Sequence, residues 1–149
     1  MRFMVMSVLL MAAMAWAQKP TGPQPAAAPP KAEGKGGGTV SGTQYWDLKV
    51  GTGKKAIPGF TLRVHYTGWL RKKKDQYEVF DSSVGKDALK FDLGMGRVIK
   101  GWDEGIAGMR VGGRRLLVIP PEAAYGREGS GKISGNATLI FEVELVEVR

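Results

Sequence analysis

The chain has 149 residues, with 22 Lys and Arg against 14 Asp and Glu, and a formal net charge of +8. It holds no cysteine and one histidine, which excludes disulfides, thiolate chemistry and a multi-histidine metal centre within this sequence. The length suits one domain, and the basic balance permits anionic partners without requiring them.

Taken in chain order, residues 1–17 read as an address. Arg2 gives a positive start, Phe3–Ala13 is an almost unbroken apolar run, and Ala15-Trp16-Ala17 has the A-x-A form of a cleavage site. This is the pattern of a secretory signal peptide. The other reading is a membrane anchor, but the run falls short of the roughly 20 apolar residues that span a bilayer. Cleavage would leave Gln18 first, and no cysteine follows to carry a lipid. The expected product is exported, periplasmic or secreted, with no stable membrane insertion.

Residues 18–38, QKPTGPQPAAAPPKAEGKGGG, contain no aromatic residue, and Thr21 is their one β-branched residue. Such a stretch buries too little apolar surface to offset the entropy of ordering, and is expected to be a flexible tether. Residues 39–149 are expected to form the folded domain. TQYWDLKVG reads as an early edge strand. TLRVHYTGWL alternates Leu62, Val64 and Tyr66 with Arg63, His65 and Thr67. LKFDL alternates about Phe91, and RRLLVIP is an apolar strand stopped by Pro120-Pro121. LIFEVELVEVR alternates Phe141, Val143 and Leu145 with glutamates, then shifts phase to Val146 and Val148, the mark of a bulge. Among these strands stands one short helix, VIKGWDEGIAGM. Its Trp102, Ile106 and Met109 share a face. Each interior glycine costs such a helix about 1 kcal/mol, so packing must hold it against a sheet. The fold class is α+β, an antiparallel sheet wrapped on one helix.

No G-x-S-x-G, phosphate loop or Ser/His/Asp order is present, and His65 reads as a structural histidine within a strand. Aromatic and apolar residues are scattered over the domain: Tyr66, Phe80, Phe91, Val98, Ile99, Trp102, Tyr125 and Phe141. By composition alone most of them belong to a core.

The segments VHYTGWL, VFDSS, FDLGMGRVIKGWDEGIAGMRVGGRR, LVIPPEAAYG and NATLIFEVELVEV, in this order from Tyr45 to Val148, resemble the FKBP family of peptidyl-prolyl cis/trans isomerases. The resemblance implies an antiparallel half-barrel sheet around one short α-helix. It also implies an apolar pocket between them for a proline ring, with no cofactor and no metal. By motif position Trp102 is the implied pocket floor, and Tyr66, Phe91 and Phe141 its aromatic walls. Val98 and Ile99 are the rim, with the Ile99 N–H a donor to a substrate carbonyl. Phe80 and Asp81 come from the VFDSS motif, Tyr125 offers a hydroxyl at the mouth, and Ile133 belongs to the flap loop. The implied partners are proline-containing polypeptides and macrolide inhibitors of the FKBP class; a monomer is the default, and export and the lack of aromatics among the basic residues argue against nucleic acid.

The chain departs from the family pattern in three places. Ser134-Gly135 stands where relatives carry a proline pair, Leu89 where they place an aromatic, and the connection holding Arg71–Lys74 is longer and basic. Two uses besides catalysis stay open at this stage. One is a client-binding chaperone. The other is an electrostatic surface binder using Arg71–Lys74, which reads otherwise as a solvated hairpin tip.

Overall fold

The structure is a computed structural model and describes residues 22–149. The signal sequence and cleavage point expected in residues 1–17 lie outside the described residues. Seven strands are present: β1 Gly37–Gly38, β2 Gln44–Lys49, β3 Thr61–Lys73, β4 Gln76–Ser82, β5 Leu89–Asp92, β6 Arg114–Ile119 and β7 Leu139–Val148. One α-helix, α1 at Lys100–Gly105, and a 3₁₀ turn at Pro121–Ala123 complete the elements among the described residues. All strands pair antiparallel in the order β1-β2-β6-β7-β3-β4, and β5 also pairs with β3. The fold is α+β, an open antiparallel sheet with one short helix.

Strand β3 organises the sheet. One edge runs along β7 from Leu62↔Val148 to Leu70↔Leu139. The other edge is shared, with Thr61–Val64 on β5 and Thr67–Lys73 on β4. Its alternation places Leu62 and Val64 in the core, fully buried. The bulge anticipated in β7 is real: Leu145 pairs with Val64 and Glu147 with Arg63, so Val146 has no opposite residue. Val146 is thereby turned outward, 42% exposed, and only Val148 returns to the core.

The opposite phase of β3 differs from the simple expectation of an outer, solvated face. Thr67 and Trp69 are buried there, Trp69 completely. Part of the span read as a tether lies over them. The Trp69 indole N–H donates to the Ala26 carbonyl at 2.9 Å, and Gln24, Pro25 and Ala26 form a shallow recess with His65, Thr67 and Trp69. Proline-rich backbone carries carbonyls with no ladder to satisfy, so one is available to the buried indole. Order also begins before Thr39, because β1 pairs Gly37 with Tyr45 and Gly38 with Gln44.

Helix α1 is shorter than its apolar spacing suggests. It ends by Ile106, and Met109 lies beyond it in a turn where Gly108 has φ +92°. Trp102, Ile106 and Met109 are nonetheless all buried together. Three groups from outside secure the helix. The Asp103 carboxylate accepts the Gly94 and Gly96 N–H at 2.8 and 3.0 Å. The Glu104 carboxylate takes the Ser41 N–H at 3.2 Å and also the Ser41 hydroxyl. That hydroxyl holds the Glu104 carboxyl below the usual carboxylate range. At the other end Arg115 donates to the Gly105 and Ala107 carbonyls at 2.8 and 3.2 Å, satisfying groups that a helix end leaves bare.

The helix glycines are explained by proximity to β6. A Cβ on Gly101 would sit 2.4 Å from Ile119 Cγ2, and one on Gly105 2.9 Å from Leu117 Cδ2. Ile119 and Leu117 are fully buried and have nowhere to retreat. Gly101→Ala gains at most about 1 kcal/mol of helix propensity and incurs about 1–3 kcal/mol of overpacking. The variant is therefore expected to be less stable than the parent. The check is a lower urea midpoint at unchanged slope; an equal or higher midpoint would mean the helix can slide away from β6.

Candidate active site

Trp102 occupies the first turn of α1, pressed toward the sheet by the glycine on its N-terminal side, and is 4% exposed. Three rings surround it. Tyr66 from β3 stands edge-on at 5.1 Å and 75°, Phe141 from β7 at 5.2 Å and 83°, and Phe91 from β5 is tilted at 5.8 Å and 52°. Edge-to-face contacts of this kind add about 0.5–1.5 kcal/mol each beyond area burial, so the cluster is rigid. Its rings come from three strands and the helix, which ties the shape of the site to the whole sheet. The Trp102 indole N–H is buried with no hydrogen-bond acceptor among the described residues.

Above this floor opens a cavity of about 200 Å³. Tyr66, Trp102 and Phe141 form its aromatic wall, Val98 and Ile99 one rim, and Leu89, Asp81 and Tyr125 its mouth. Ile99 precedes α1 with extended φ and ψ of −58° and 150°. Its carbonyl accepts the Trp102 and Asp103 N–H, while its own N–H donates to no acceptor among the described residues. Tyr125, 40% exposed, follows the 3₁₀ turn and its cap Ala124. Leu89, at 38% exposed, leaves the mouth wider than an aromatic there would.

Asp81 is held by Tyr66. The phenol donates to Asp81 Oδ2 at 2.8 Å across the β3–β4 pair. Burial first, then the Asp81 hydrogen bond and charge, push the phenol well above its ordinary value of 10.0. Next to this pair, Ser83 fixes the turn, with its N–H donating to the Tyr66 carbonyl at 2.9 Å and the Tyr66 N–H donating to its hydroxyl at 2.8 Å. His65 meets the same hydroxyl at 2.9 Å, the structural contact expected of it. Gly68, between the aromatic walls, is required by closeness: a Cβ would lie 2.7 Å from both Phe141 Cε1 and Phe80 Cζ.

Three of the residues drawn from the resemblance stand off the cavity itself. Phe80 packs behind Phe141, at 5.5 Å and 81°, and so supports the wall. Phe91 reaches Trp102 from the side and lines a neighbouring recess of about 390 Å³ with Leu89 and Val98. Ile133 is buried in the core, 8% exposed. Its loop is drawn in by reciprocal Ser130–Ile133 backbone bonds and by the Asn136 N–H to the Gly126 carbonyl. Gly135 suits this loop, since a Cβ there would meet the Arg127 carbonyl oxygen at 2.1 Å. Arg97 lines both the cavity and the recess and was not anticipated; its place immediately before the rim pair Val98-Ile99 is the signal that would have found it. Among the described residues no group of three or more His, Cys, Asp or Glu could hold a metal.

A cavity with an aromatic floor and hydrogen-bond donors at its rim has a counterpart among known proteins. The family model described as FKBP-type peptidyl-prolyl cis-trans isomerase matches residues 52–146. The chain belongs to the FKBP-type peptidyl-prolyl cis-trans isomerases. Relatives in this family include a protein named FK506-binding protein from Neisseria meningitidis serogroup B, 52% identical over 104 residues, 68% of this chain and 92% of that one. The Arabidopsis thaliana peptidyl-prolyl cis-trans isomerase FKBP15-3 is 53% identical over 97 residues, 65% of this chain and 66% of that one. Among solved structures, FkpA from Escherichia coli superposes with TM-score 0.69 at 37% identity, over 78% of this chain and 53% of FkpA. The reaction of this family is rotation about an Xaa-Pro imide, which is slow because the bond has partial double-bond character.

The Tyr66 phenol has a consequence for pH. A group whose folded pKa is raised contributes stability below its unfolded value and loses it as pH rises past that value. The parent's stability advantage over Tyr66→Phe is therefore expected to be constant near neutrality and to shrink above about pH 10, the ordinary tyrosine value. Denaturant midpoints of both proteins across that range check it; an advantage unchanged at high pH would mean the phenol is not held neutral by burial and Asp81.

Proposed function

We propose that this isomerase is exported and speeds rotation of Xaa-Pro bonds in other exported polypeptides, assisting their folding. The observation that carries the catalytic part is the cavity over Trp102, walled by Tyr66 and Phe141 and rimmed by an uncommitted Ile99 N–H. Support for export is the pattern of Arg2, the apolar run Phe3–Ala13 and Ala15-Trp16-Ala17.

In this reading the pyrrolidine ring rests on Trp102 between Tyr66 and Phe141. Burying its methylenes at about 0.8 kcal/mol each holds the substrate without gripping the imide. The planar imide is polar because resonance separates its charge, and the barrier to rotation is about 18–20 kcal/mol. The twisted transition state has lost much of that resonance. The aromatic floor and walls, which offer the imide no polar partner, disfavour the planar form relative to the twisted one, and only such differential stabilisation accelerates the reaction. The Ile99 N–H anchors a carbonyl of the substrate, so that the other side of the bond turns against a fixed ring. Tyr125 offers its hydroxyl to the turning side. Asp81 acts by fixing the orientation of the Tyr66 ring. Proline-containing clients are the substrates, macrolide inhibitors of the FKBP class compete for the same ring site, and the protein works as a monomer.

The decisive experiment follows isomerisation of a short Leu-Pro or Phe-Pro peptide by protein beginning at Gln18. Acceleration is expected, with a fall of about 10-fold or more in kcat/KM for the folded Tyr66→Ala/Phe141→Ala variant, tenfold being about 1.4 kcal/mol of lost transition-state binding. A folded parent with no acceleration would sink the catalytic reading and leave client binding. For export, the intact mass of protein recovered outside the cytoplasmic membrane of the expressing cell should correspond to a chain starting at Gln18. Retention of full-length chain inside the cell would overturn that part.

A further inference from the structure

Arg97 lies in the turn between β5 and α1, and its exposed side chain lines both the 200 Å³ cavity and the neighbouring 390 Å³ recess. Lys90 lines the same recess. Neither cation forms an ion pair among the described residues. The nearby carboxylates are engaged elsewhere. Asp81 accepts the Tyr66 hydroxyl at 2.8 Å and Asp92 the Thr61 hydroxyl at 2.6 Å. Asp103 takes the Gly94 and Gly96 N–H at 2.8 and 3.0 Å. A guanidinium and an ammonium thus stand uncommitted on one side of a proline site, two residues from the donor at Ile99.

We propose that Arg97, supported by Lys90, is a specificity-determining residue that favours clients bearing a carboxylate next to the proline. This rests on the isomerase reading of the cavity. The planar guanidinium presents a fork of donors matching a carboxylate, and it stays charged at every working pH. Asp81 acts in the opposite direction, since its charge faces the same cavity. It stands on the β4 side, however, with one oxygen covered by the Tyr66 hydroxyl; along the recess Arg97 and Lys90 are two cations against the one carboxylate of Asp92, one oxygen of which is held by the Thr61 hydroxyl. Because Arg97 is exposed, the preference is modest and sensitive to salt.

The test compares peptides with Glu, Gln or Lys placed before or after the proline, each rate divided by the same protein's rate on a Leu-Pro reference peptide. In the parent, kcat/KM is expected to be about two- to five-fold higher for Glu than for Gln in at least one of the two placements, and lower for Lys, the scale of an exposed ion pair. Arg97→Gln should remove most of the contrast, Arg97→Glu should reverse it, and high salt should compress it. Leu-Pro acceleration with the same Glu-to-Lys ratio in the parent and Arg97→Glu overturns the assignment of Arg97 while leaving the isomerase reading intact. A parent that prefers neither charge in either placement overturns it likewise. A parent that leaves Leu-Pro unaccelerated overturns both readings together.

Discussion

Gly101 and Gly105 carry no side chain on the face of α1 that meets Ile119 and Leu117, and everything in the site depends on that missing volume. A Cβ at Gly101 would stand 2.4 Å from Ile119. Because it is absent, the helix axis comes close enough for Trp102 to reach the rings of Tyr66, Phe91 and Phe141 at 5.1 to 5.8 Å. A six-residue helix with two glycines has little stability of its own, since isolated helices are marginal even at about 12–15 residues. Its place is set from outside: by Gly94 and Gly96 through Asp103, by Ser41 through Glu104, and by Arg115 at its C-terminal carbonyls. The pocket floor is thus positioned by the sheet and the loops around it.

Arg115, from β6, ties β2 to α1. It is 7% exposed, pairs with Asp47 of β2 at 2.8 Å, lies over the Tyr45 ring at 4.4 Å, and donates to Gly105 of α1. A buried cation is tolerated when its donors are satisfied and a partner charge is at hand. Here four hydrogen bonds from one guanidinium reach a carboxylate and two carbonyls, more than the three donors of an ammonium can make. The neighbouring Arg114 faces outward and pairs with the exposed side of Glu142 at 3.0 Å, so two adjacent arginines have unrelated tasks.

The sheet was legible because its strands are buried on one side, and alternation reports that directly. Leu62 and Val64 in β3 and Phe141, Val143 and Leu145 in β7 fall where their parity places them, and the slip at Val146 marks the bulge. Helix length was less legible, because apolar spacing continues through Ile106 to Met109 after the backbone has turned at Gly108. The pocket could not be told from core by composition: Trp102, Phe91 and Phe141 are 4 to 7% exposed, as core rings are. It took the order of five motifs to separate them. Parity held two signals that went unused. Arg115 shares its phase with Leu117 and Ile119, and Trp69 shares its phase with His65 and Thr67, away from the core. A tryptophan in that phase needs a cover, and the cover is a stretch whose composition alone reads as disordered. Disorder arguments weigh a segment's own apolar surface, and here the apolar surface belongs to the sheet.

That cover also determines how the domain would be presented if it were held at Ala26. Tyr66 and Trp69 have opposite parity on β3, so the clasp between Trp69 and Ala26 lies on the reverse of the strand that walls the pocket. Residues Gln24–Ala26 therefore lie against the face of β3 that carries His65, Thr67 and Trp69. A probe fixed to the backbone at Ala26 would sit on the opposite side of β3 from Tyr66, and so from the wall that this strand gives the cavity.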